Sequence, residues 1–215
     1  MFLGHEALAL ASRRLAPRPS LGTLVAAATL PDLLWPVFLL LGWEKVRIDP
    51  GNTVVTPLDF VRYPYTHSLL AVLLWAVLFG GLYGLLRRDR RGAVVCGLLV
   101  VSHWVLDFIS HRPDLPLIPG GPRYGLGLWN SLPATLVAEG ALYACGVWIY
   151  VRARPARDRT GVAAFWSVVI LLAVLYVLSV WGPPPPDARA IAWVGLAGWI
   201  FPFWFAWADR HRRPA

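Results

Sequence analysis

Cysteine and charge are scarce in this chain. Its 215 residues include two cysteines, Cys96 and Cys145, and both lie inside apolar runs. That indicates neither a disulfide framework nor a thiolate metal site, so both read as packing residues. Charged residues make up 15% of the chain against 57% hydrophobic, and mean hydropathy is +0.56. Such a balance excludes an ordinary soluble domain and places the chain among polytopic membrane proteins. There is no Walker loop, Gly-x-Ser-x-Gly elbow, dinucleotide fingerprint or repeat period, which removes the common nucleotide-binding and serine-hydrolase readings. The start of the chain has neither a charged n-region ahead of an apolar stretch nor an A-x-A cleavage signal, so it is expected to remain uncleaved. The net charge of +8 is spread over short clusters between apolar runs. There it serves as a topology signal and a contact to anionic membrane lipid, and no nucleic-acid site is expected.

Six runs are long enough to cross a hydrocarbon core, which takes about 20 residues of helix. They lie near 21–43, 67–86, 92–111, 128–151, 162–182 and 188–207. Alternate connections carry Arg13, Arg14 and Arg18; Arg87, Arg88, Arg90 and Arg91; Arg152, Arg154, Arg157 and Arg159; and Arg210, Arg212 and Arg213. The opposite connections hold Lys45, Arg47, Arg62, Arg112, Arg123 and Arg189, so the asymmetry is 14 against 6. By the positive-inside rule both termini are expected in the cytoplasm. Residues 2–12 form an apolar stretch too short to span, and it is expected to be an interfacial or re-entrant helix. The fold class is therefore all-α: a polytopic transmembrane bundle of about six spans plus that short N-terminal helix. It forms one integral membrane domain over 1–215, with chemistry in 1–151 and two scaffold spans in 152–215.

The first span contains Leu30-Pro31-Asp32, where proline removes a backbone donor, and Pro36 follows. The helix is expected to break there and leave Asp32 near mid-membrane beside a cavity. His67 opens the second span after Tyr63-Pro64-Tyr65-Thr66, with Thr66 or Ser68 as a cap. In the third, His103, Asp107 and His111 recur every four residues, which places them on one helix face as a polar stripe. The fourth carries Glu139 near its middle, and Arg123 lies in the Pro- and Gly-rich loop before it. Ionisable side chains in apolar surroundings are costly unless a metal, a proton path or a partner charge satisfies them. Imidazoles with carboxylates suit zinc, manganese or iron(II). Plainer readings stand beside this one: a His103–Asp107 packing pair, Asp32 as a helix cap, His5, His67 and His111 as interfacial residues, and Glu139 paired with Arg123. Trp129 and other tryptophans near span ends read as interface anchors.

The order His5, Pro31-Asp32, Thr66-His67-Ser68, then His103 with Asp107 resembles the YdjM-like family of membrane-bound metal-dependent hydrolases. The resemblance covers roughly the first half of the chain. It implies a bacterial-type inner (cytoplasmic) membrane protein with a divalent metal site at Asp32, His67, His103 and Asp107, and also His5. Where the family often has His-Arg-x-x-Thr-His-Ser, this chain has Arg62 and Tyr63 in the first two positions, so one imidazole is missing and His111 or Glu139 is a candidate to replace it. The expected function is hydrolysis of a lipid or lipid-linked (phospho)ester by a metal-activated water. Zinc is the foremost ion, Glu139 a base or further ligand, and Arg123 a contact to an anionic group. Two alternatives remain open: an ion-coupled transporter, and a non-catalytic scaffold with a structural metal.

Overall fold

The computed structural model describes residues 1–213. In chain order its helices are α1 (Phe2–Ser12), α2 (Leu21–Ala28), α3 (Leu30–Leu40), α4 (Pro64–His67), α5 (Leu69–Arg87), α6 (Arg90–Ser110), α7 (Leu132–Ala153), α8 (Arg159–Trp181), α9 (Ala188–Leu196) and α10 (Ile200–Arg210). A 3₁₀ turn, Ala197–Trp199, joins the last two. Five helical stretches are long and apolar enough to cross a membrane, and the bent α2–α3 pair makes a sixth. The fold is an all-α bundle. On α5 the leucines and valines at 73, 74, 77, 78, 82, 85 and 86 are exposed, a continuous apolar face that suits contact with lipid.

The break in the first span falls at Thr29, where α2 and α3 meet at 57°. Pro31 supplies no N–H, and the Thr29 hydroxyl bonds back to Val25 O at 2.9 Å. Pro36 is accommodated inside α3 and makes no second break. Asp32 therefore lies in the first turn of α3, where helix N-terminal dipoles favour a carboxylate.

Two small hairpins appear that the all-helical reading leaves as loops. Strands β1 (Lys45–Ile48) and β2 (Leu58–Arg62) pair antiparallel across the Asp49-Pro50-Gly51-Asn52 turn, and β3 (Leu115–Pro116) pairs with β4 (Arg123–Tyr124). Both lie at the end of the bundle away from the arginine clusters. At the arginine-rich end, Arg18 and Arg91 line one cavity of about 260 Å³. There too, buried Asp209 joins four elements: Arg13 and Arg154 pair with it, Tyr150 donates at 2.7 Å, and Leu21 N–H donates at 3.1 Å.

The short helix α1 lies inside the bundle and not on its surface, which suits the re-entrant form of the expectation better than the interfacial one. It is buried along most of its length and packs on α7, where a Cβ on Gly146 would come 2.5 Å from Ala7 O. Eleven apolar residues with polar groups on both sides of the helix look alike whether a membrane surface or a protein interior covers them, and here the interior does. Met1 is consequently buried beside Asp107, whereas α10 ends among the arginines. The last span also packs directly on the first: its outer part α9 lies along α3 and its remainder α10 along α2.

Candidate metal centre

Five of the residues singled out by sequence meet at one place. His5 comes from α1, Asp32 from α3, His67 from the end of α4, and His103 and Asp107 from adjacent turns of α6. His5, His103 and Asp107 have donor atoms within 4.8 Å of one another, and so do Asp32, His67 and His103. Asp107 uses both oxygens: Oδ1 lies 3.2 Å from His5 Nε2 and accepts from the Met1 amine, and Oδ2 lies 3.1 Å from His103 Nε2 and 3.8 Å from His67 Nε2. Asp32 Oδ1 is 3.4 Å from His67 Nε2 and 3.7 Å from His103 Nε2. The His5 and His103 rings stack at 3.8 Å.

Local structure decides which ring nitrogens carry protons. The Ala28 carbonyl belongs to the last turn of α2, where a helix leaves acceptors without intrahelical partners. His103 Nδ1 lies 2.9 Å from it, and a carbonyl only accepts, so Nδ1 holds the proton and, in the neutral ring, Nε2 presents a lone pair. That Nε2 is buried with no hydrogen-bond partner, although a carboxylate oxygen lies 3.1 Å away. His67 is fixed in the same sense. The Thr66 hydroxyl donates to Glu44 Oε2 at 2.7 Å, so His67 Nδ1, 2.6 Å from Thr66 Oγ1, must donate to it. Two bare imidazole nitrogens thus face two carboxylates. Lone pairs pointed at anionic oxygens repel unless a cation lies between them, and such outer hydrogen bonds are how metal-ligating histidines are usually held. The donor set fits a divalent ion. His5, His67, His103 and Asp107 are buried, while the Asp32 side chain is 49% exposed and opens one edge of the site.

The other three candidates belong to neither donor group. His111 is not a third step of the stripe, because α6 stops at Ser110 ahead of Pro113 and His111 takes an extended conformation. Its Nδ1 sits 3.0 Å from Asp114 Oδ1, and Trp129 packs on its ring at 4.3 Å. Tyr63 donates to the same Asp114 oxygen at 2.8 Å; burial first and Asp114 second push its phenol well above the ordinary range, so it stays protonated. Arg123 is exposed on β4 and donates to Val61 O at 2.8 Å, so it meets neither the five clustered residues nor Glu139. Glu139 is buried beside the start of α1: Oε2 accepts from Leu3 N–H at 2.7 Å, and Oε1 is buried without a partner. Glu139 thereby caps the helix that carries His5. Sequence reasoning missed Glu44, which acts on the site from 22 residues before Thr66.

No family model, curated protein or solved structure matches this chain.

Proposed function

We propose that the chain is a membrane-embedded, metal-dependent hydrolase that acts on a lipid or lipid-linked phosphoester. The observation that carries this reading is the convergence of two bare imidazole nitrogens and two carboxylates at a buried point with one exposed edge at Asp32. Nitrogen and oxygen donors without thiolate favour zinc, with manganese or iron(II) also suited. When bound, such an ion supplies the Lewis acidity that ester hydrolysis requires. Asp32, His67, His103 and Asp107 would hold it, with His5 behind Asp107. Glu139 is the candidate base, since its Oε1 is buried, unpartnered and free to accept a proton. The apolar face of α5 and the place of the site among long apolar helices favour an amphiphilic substrate over a soluble one. The resemblance of the His5, Pro31-Asp32, Thr66-His67-Ser68 and His103/Asp107 order to YdjM-like hydrolases points the same way.

Turnover tests the reading. Purified protein loaded with zinc is expected to release phosphate or headgroup from phospholipid vesicles or from an undecaprenyl-type phosphate, and a chelator is expected to stop it. A metal-loaded protein that hydrolyses neither substrate class would overturn the hydrolase reading and leave the ion-coupled transporter or the structural metal.

We further propose a bacterial-type inner membrane with the arginine-rich end in the cytoplasm and the two hairpins outside. Gly51 and Gly120 are poor labelling positions because both take a left-handed φ, +95° and +75°, that strains any other residue. Val54 and Ile118 are exposed beside them. In a background lacking Cys145, cysteine at Val54 or Ile118 should react with an impermeant maleimide on intact cells. Reaction only after permeabilisation would invert the proposed orientation.

A further inference from the structure

We propose that Glu44 is a positioning residue of the metal centre, setting the tautomer of His67 through Thr66. Glu44 ends the α3–β1 connection, 12 residues after Asp32 and 23 before His67, yet it is 2% exposed. Its two oxygens have separate tasks. Oε1 accepts the backbone N–H groups of Tyr65 and Thr66 at 2.8 and 2.9 Å, which lie in the first turn of α4 and lack intrahelical partners. Oε2 accepts only from the Thr66 hydroxyl, at 2.7 Å.

The consequence follows from counting protons. A carboxylate accepts and cannot donate, and a hydroxyl has one proton. Because Glu44 Oε2 takes that proton, Thr66 Oγ1 can only accept on its other side, where His67 Nδ1 lies 2.6 Å away. Nδ1 is thereby held protonated, and Nε2 keeps its lone pair toward Asp32 and Asp107. Without the carboxylate the hydroxyl can turn and donate to Nδ1 instead. The proton then resides on Nε2, where it blocks coordination.

The division of labour between the two oxygens makes Glu44→Gln a discriminating variant. The glutamine oxygen can still accept both α4 amides, so the turn keeps its cap. The glutamine NH₂ now faces Thr66 and donates to its hydroxyl oxygen, which in turn donates to His67 Nδ1. The relay reverses while the shape is preserved. This inference rests on the metal-centre reading only in its second consequence, weaker metal binding; the tautomer itself is a property of the metal-free chain.

The experiment is nitrogen NMR of histidine-labelled full-length protein in lipid nanodiscs, stripped of metal with chelator, followed by zinc titration of the same samples. The wild type and Thr66→Ser should show His67 protonated at Nδ1. Glu44→Gln should show it protonated at Nε2, and zinc should bind about 10- to 100-fold more weakly, the usual loss when an outer partner of a ligating histidine is altered. Should Glu44→Gln fail to fold, Thr66→Val deletes the acceptor for Nδ1–H while leaving Glu44 on the α4 amides, and it is expected to mix the two tautomers. His67 remaining wholly Nδ1-protonated in the folded variants would overturn the proposal. A reversed tautomer with unchanged zinc affinity would instead uphold the relay and remove His67 from the ligand set.

Discussion

Replacing His103 or Asp107 by alanine is expected to strip the purified protein of its metal, while His211→Ala leaves the metal content intact. The contrast comes from position. Asp107 bridges the cluster with separate oxygens, through Oδ1 to His5 and through Oδ2 to His103 and His67. Its removal leaves three buried imidazoles without their shared counter-charge. His103 belongs to both groups, so its loss breaks each of them. Removing one partner of a buried charged set costs about 3–5 kcal/mol, or more than two orders of magnitude in retention, in addition to the lost coordinate bond. His211 lies at the arginine-rich end, 3.0 Å from Asp158 at the start of α8, and touches none of the five. Metal content and thermal unfolding measured on the same preparations separate ligand loss from misfolding. Equal metal in all three variants would remove α6 as a ligand helix.

Glu139→Gln is expected to retain metal and fold but lose turnover by about 10²- to 10⁴-fold, the usual contribution of a positioned general base. The amide oxygen can still accept from Leu3 N–H, so α1 remains capped and His5 stays in place. What the variant lacks is an oxygen able to take up a proton where Oε1 now sits. Glu139→Ala, by contrast, removes the cap as well and should loosen α1, lowering metal content along with activity. Full turnover in the glutamine variant would confine Glu139 to holding α1.

How far the sequence reaches depends on the range of the interaction. The break at Pro31 and the four-residue spacing of His103 and Asp107 are local features, so both are legible and both appear in the structure. His111 has the same spacing but not the same place, because Pro113 ends the helix one residue earlier than a face count assumes. The burial of α1 has no local signature, since an apolar eleven-residue helix does not disclose what covers it, and its packing partner α7 begins 120 residues after α1 ends. Glu44 is harder still. It sits among mixed charges in a loop that reads as solvent-exposed, and only the closing of the β1–β2 hairpin brings it to Thr66. The acceptor that orients His103 is a backbone carbonyl exposed by the break in another helix, which no residue identity encodes.

Asp32, His67, His103 and Asp107, with His5 behind Asp107, are proposed to hold a divalent cation. Elemental analysis of the purified wild-type protein tests this most directly. The expected result is at least stoichiometric transition metal, zinc foremost, that survives dialysis, leaves with a strong chelator and returns on adding zinc. A protein that carries no transition metal and takes up neither zinc, manganese nor iron(II) when supplied with them would contradict it.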